Sequence, residues 1–139
     1  MNILVIDGHG GRLGAELVKE ILARFEGISL TAVGTNAVAT AAMLKAGAKN
    51  AATGENPVIV ACRKADVIIG PIGITVADSL FGEVTAPMAI AVAKADAVRI
   101  FIPINKCDNL IAGVGNMNTG DLIADALLKL RSLINARLS

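Results

Sequence analysis

Tryptophan and tyrosine are missing from this 139-residue sequence, and aromatic residues amount to 2% of it. A single-stranded nucleic acid is held on a row of aromatic faces, so that mode of binding is not expected. Charge of one sign is missing as well. Thirteen basic and twelve acidic side chains leave a formal net charge of +1, with no basic arm or acidic tail. Neither nucleic acid nor an anionic membrane surface is therefore expected as a partner. Long apolar runs are absent: none approaches the ~20 residues that span a bilayer. The run from Ile3 to Ile6 is too short for a signal-peptide core and is followed at once by Asp7. A cytoplasmic protein is expected, with its two cysteines, Cys62 and Cys107, as reduced thiols. With one histidine, His9, and no cysteine pair at ligand spacing, no metal site is expected.

What the sequence has is apolar mass and glycine. Hydrophobic residues make up 54%, with 14 glycines and a mean hydropathy of +0.64. The length suits one domain over residues 1–139, since either half alone would have too little core. A small domain so apolar, even one rich in alanine, is expected to cover part of its surface with a second copy, as a homo-oligomer and most simply a homodimer.

Apolar runs alternate with helical patterns along the chain. Strands are expected at residues 3–6, 29–33, 50–53, 67–69 and 99–102. Helices are expected at residues 12–25, at 37–46 capped by Asn36, from Pro57 to about Lys64 capped by Asn56, and at 86–95 capped by Thr85. The last, at 120–137, carries one apolar stripe through Leu122, Ile123, Ala126, Leu127, Leu130, Leu133 and Ile134. Residues 71–83 and 103–118 read as irregular, the second with room for a short strand at 110–112. Short buried strands alternating with helices mean a parallel sheet covered on both faces. The expected fold is a three-layer, Rossmann-like doubly wound α/β sheet in the order 3-2-1-4-5, with the flavodoxin-like order 2-1-3-4-5 as the alternative. In the first order a crevice opens between strands 1 and 4 at their carboxyl ends, where both glycine-rich segments would meet.

The first of those segments is Asp7-Gly8-His9-Gly10-Gly11-Arg12-Leu13-Gly14. It follows a strand and opens a helix. Gly8 permits the turn, Gly10 or Gly11 would let backbone amides approach an anion, and Gly14 would let the helix pack close to the sheet. The helix N-terminus adds unpaired donors and a positive dipole end. A phosphate-containing ligand is therefore expected, with His9 and Arg12 beside it and Thr35 and Asn36 near a ribose. The spacing resembles the Gly-x-x-Gly-Arg-Met-Gly variant of the dihydrodipicolinate reductases, and that resemblance implies NAD(P) or another nucleotide as cofactor. Two features run against a dinucleotide. Asp7 sets a carboxylate beside the pyrophosphate, and the second strand ends in Gly34-Thr35-Asn36 with no acid for the ribose.

On the far side of the crevice Gly70, Gly73, Asn105 and Lys106 are the candidate contacts, with Asp78, Ser79 and Glu83 as nearby polar groups. Asn105-Lys106-Cys107-Asp108 resembles the guanine-reading motif of small GTPases. The phosphate loop Gly-x-x-x-x-Gly-Lys-Ser/Thr that must accompany it is absent, so the match reads as coincidence. The missing tyrosine excludes the proton relay of short-chain dehydrogenases, and at this length no separate substrate domain is expected. Any chemistry would fall to Asp7, His9, Lys106, Cys107 or a partner subunit.

Taken whole, the sequence is similar to a family of short bacterial proteins known as DUF3842. The likeness rests on the segment from Ile3 to Gly8 and the glycines after it, on Gly34 to Ala37, Ala42 to Ala48, Thr53 to Asn56, Cys62 to Gly73, and Asn105 to Cys107. It implies a Rossmann-like fold in a bacterial cytoplasm and no particular activity. Nucleotide binding is the leading expectation. A non-catalytic sensor or partner-binding module, or an enzyme acting on a phosphorylated metabolite, stands beside it.

Overall fold

The structure is a computed structural model and describes residues 1–104 and 108–138. Five parallel strands, β1 (Asn2–Asp7), β2 (Ser29–Gly34), β3 (Asn50–Thr53), β4 (Val67–Pro71) and β5 (Val98–Ile102), form one sheet in the order β3-β2-β1-β4-β5. This is the doubly wound order expected, with its topological switch between β1 and β4.

The central strands are apolar on both sides because both faces are covered. On one face Ile3, Val5, Val67 and Ile69 pack against Leu17, Val18 and Ile21 of α1 (Arg12–Arg24), Met43 of α2 (Ala37–Lys45), and Ile123, Leu127 and Leu130 of α5 (Thr119–Leu138). On the other face Leu4, Ile6 and Ile68 meet Val58 and Cys62 of α3 (Glu55–Lys64) and Met88 and Val92 of α4 (Ala86–Lys94). Cys62 is thus a small core residue, and burial pushes its thiol up to about 11. Cys107 lies outside the described residues.

Local chemistry sets the helix starts. The Asn36 side chain accepts the Ala39 N–H at 2.8 Å, and Thr85 Oγ1 accepts that of Met88 at 3.3 Å, as N-caps do. One start differs from expectation. α3 begins at Glu55, not at Pro57, because Gly54 takes the cap position at φ 103. Pro57 then sits inside the first turn, where its missing N–H is not needed. The strand expected at 110–112 does not form. Leu110 is exposed, Gly113 turns the chain at φ 84, and Asn118 Oδ1 accepts the Asp121 N–H to start α5. Residues 72–75, expected as loop, form a 3₁₀ turn after β4.

Among the described residues no helix is long and apolar enough to cross a membrane.

Candidate functional site

Strand β1 delivers the chain into the glycine loop, and its last residue governs what the loop can do. The Asp7 side chain is buried and turns back under the start of α1. Its Oδ1 accepts the Gly8 N–H at 2.8 Å and its Oδ2 the Gly14 N–H at 2.7 Å. A carboxylate from the chain itself thus takes one donor of the first helical turn. Burial pushes the Asp7 carboxyl above its ordinary range, against the pull of those two amides and of nearby His9. The Gly11 N–H is also used, donating to Gly8 O at 2.9 Å.

A second carboxylate organises the other side of the loop. Glu83 Oε1 accepts the His9 N–H at 3.0 Å, the Thr35 hydroxyl at 2.7 Å and the Asn36 side-chain amide at 2.7 Å. Asn36 Nδ2 also donates to His9 O at 2.9 Å. Thr35 and Asn36, expected near a ribose, are bound to Glu83 instead. Burial alone would raise the Glu83 carboxyl. The bonds from Thr35, His9 and Asn36 and the nearness of His9 outweigh it, and the group is held below its ordinary range. A carboxyl with a depressed folded value adds stability above its unfolded value and loses it as pH falls through the folded one. Glu83→Gln should therefore be less stable than wild type by about 1–3 kcal/mol at pH 7. The gap should close as thermal melts are repeated below the ordinary glutamate value of 4.5. A gap that stays constant down to pH 3 would show that charge is not what holds this cluster.

The amides of Gly10, Arg12 and Leu13 meet no acceptor among the described residues. They border a cavity of about 480 Å³ lined by the glycine loop, Glu16, Pro71, Leu80, Ile104, Thr119 and Ile123. It lies at the carboxyl ends of β1, β4 and β5, between the starts of α1 and α5, where ligands of open α/β sheets sit. Arg12 is exposed at its rim, and His9 lines it with its ring 5.7 Å from that of Phe81.

The glycines divide by what surrounds them. A Cβ on Gly10 would meet nothing nearer than Arg12 Cγ at 4.0 Å, so this glycine leaves the loop open to the cavity. Gly11 has φ 74, and its Cβ would fall 2.6 Å from Ala39 Cα, so it serves the contact with α2. Gly14 packs on Asp7 and Met43, as expected for a glycine that brings α1 to the sheet. Gly70 and Gly73 are buried and do not line the cavity; a Cβ on Gly70 would run into Ile6 O, and Gly73 O accepts from the Ser79 hydroxyl. Pro71 lines the cavity in their stead. Asn105 and Lys106 lie outside the described residues. The organising role of Glu83 was not legible beforehand, because its three partners belong to distant segments.

A family model matches residues 2–135. The chain belongs to the family described as domain of unknown function (DUF3842). Among solved structures this DUF3842 chain is similar to a dodecameric FMN-dependent UbiX-like decarboxylase from Escherichia coli O157:H7. The two are 15% identical with a TM-score of 0.45, over 94% of this chain and 75% of that one. No curated protein sequence matches the DUF3842 chain.

Proposed function

We propose that the protein binds a nucleotide or similar phosphate-bearing small molecule in the cavity beside the glycine loop. One observation carries the reading. The amides of Gly10, Arg12 and Leu13, left without acceptors among the described residues, border a space of about 480 Å³ at the switch point of the sheet. That volume is in the range of small-molecule sites. The phosphate would take those amides and the Arg12 guanidinium, and the positive end of α1 would favour its charge. His9 lines the cavity wall, with its Nε2 3.9 Å from Glu83 Oε2.

Thermal denaturation with inorganic phosphate, AMP, NMN and NAD(P) tests the reading. A ligand at a hundred times its Kd adds about 2.7 kcal/mol and raises the Tm by several degrees. Gly10→Asp sets a carboxylate among the free amides at an exposed position with open space for a side chain. This variant should melt as wild type does alone and lose the ligand response. A wild type indifferent to all of these at millimolar concentration would defeat the proposal.

Self-association belongs to the same reading. It is supported by wholly or largely exposed apolar side chains, among them Phe81, Val38 and Ile90. Light scattering after gel filtration should give more than one chain per particle, and a monomer at high concentration would remove this part.

A further inference from the structure

Among the described residues, none on the β2 side lines the cavity. Its described walls come from the glycine loop, α1, the end of β4, Leu80, Ile104 and α5. In a doubly wound sheet a dinucleotide lies across the switch point, with one nucleoside over the end of β2. Here that place is closed in three ways. The Thr35 hydroxyl, the Asn36 amide and the His9 N–H are the donors a ribose or phosphate would seek there, and all three converge on Glu83 Oε1. The N-terminal end of α2 lies directly on the loop, with Ala39 against Gly11. And the Asn36 side chain ties His9 O down at 2.9 Å.

Glu83 is not loosely placed. It follows a segment in which Asp78, Leu80, Phe81 and Gly82 all have positive φ, at 65°, 55°, 54° and 85°. Such a backbone persists only where its surroundings over-determine it. The surroundings here are the bonds Asp78 N–H to Val84 O, Gly82 N–H to Asp78 O, Glu83 N–H to Leu80 O and Val84 N–H to Ser79 O, together with a buried Leu80. This knot holds the carboxylate over the end of β2.

We infer that Glu83 shuts the β2 half of the crevice, so that the protein accepts one phosphate-bearing nucleoside on the β4–β5 side and refuses a dinucleotide. A dinucleotide would have to displace a carboxylate from three donors and lay its second phosphate beside that charge. Like-charge juxtaposition and unpaired donors are the means by which sites reject near neighbours of their ligand. This inference rests on the nucleotide reading above and narrows its ligand.

NAD joins AMP and NMN, so calorimetric titration of the full chain with these three separates the two claims. Wild type should bind AMP or NMN at least about tenfold more tightly than NAD. Glu83→Ala should narrow that ratio by bringing NAD binding up, with the mononucleotide changed little. Glu83→Gln, which keeps the shape and removes the charge, should fall between them and serves as the test if the alanine variant does not fold. Wild type binding NAD as tightly as its better half would overturn the closure of the β2 side and leave the nucleotide reading standing. An unchanged ratio in both variants would overturn the role of Glu83. Failure of wild type to bind any of the three would overturn this inference and the nucleotide reading together.

Discussion

Gly11→Ala should cost the chain about 2–5 kcal/mol, while Gly10→Ala, one position away, should leave it unchanged or slightly more stable. Two terms combine at Gly11. Its φ of 74 is a conformation in which a Cβ is strained, and the new methyl group would stand 2.6 Å from Ala39 Cα and 2.8 Å from Ala39 O. Those neighbours are backbone, fixed by the first turn of α2, so they cannot rotate away. The two elements would have to part, and with them the contact that seats α2 on the loop. Gly10 has neither constraint: its φ is not positive and a methyl group would stand in open space. Urea denaturation of both variants measures the difference. An equal loss at the two positions would mean that the loop is held by something other than its contact with α2.

That contrast also marks how far the sequence could be read. The order of the strands was legible, because five short apolar runs separated by helical periodicity leave few parallel topologies. So were the caps at Asn36 and Thr85, where a side-chain oxygen three residues before an amide is a local matter. The glycine pattern announced a tight strand–helix turn and the close packing at Gly14. It did not say which glycine faces a ligand. Gly8, Gly10 and Gly11 look alike in a string of letters, and they differ through the positive φ of Gly11 and through what Thr35, Ala39, Leu80 and Glu83 bring against them. Glu83 was hidden for the same reason: a glutamate between a glycine and a valine in an irregular stretch has no periodicity to betray it. Its importance comes from three donors contributed by the ends of β1 and β2. Asn56-Pro57 points to a later start for α3 because Asn-Pro is a strong local start signal. Gly54, with a φ of 103 that favours glycine, supplied the turn first.

Asp7→Ala should lower stability by about 2–6 kcal/mol, since it strips two amide donors of their acceptor at once and each costs about 1–3 kcal/mol when left unsatisfied. The lower end applies if water from the adjoining cavity reaches the Gly8 and Gly14 amides. The effect on ligand binding should be opposite in sign. The Asp7 carboxylate sits where an anion could meet the third amide of α1, and it repels any phosphate held by the first two. Without it, the Gly14 amide loses its acceptor next to those of Arg12 and Leu13, and inorganic phosphate bound at the head of α1 can supply one. Phosphate should therefore raise the Tm of Asp7→Ala by several degrees more than it raises that of wild type. The pH profile adds a second reading. Because burial lifts the Asp7 carboxyl above its ordinary 3.8, wild type has an increment of stability at acid pH that fades as pH rises through the lifted value. The alanine variant has no such increment, so its deficit should shrink from pH 4 toward neutrality. If phosphate stabilised both proteins equally, the carboxylate would not compete with the anion, and the phosphate would rest on the amides of Gly10, Arg12 and Leu13 and on the Arg12 side chain whether or not Asp7 is present.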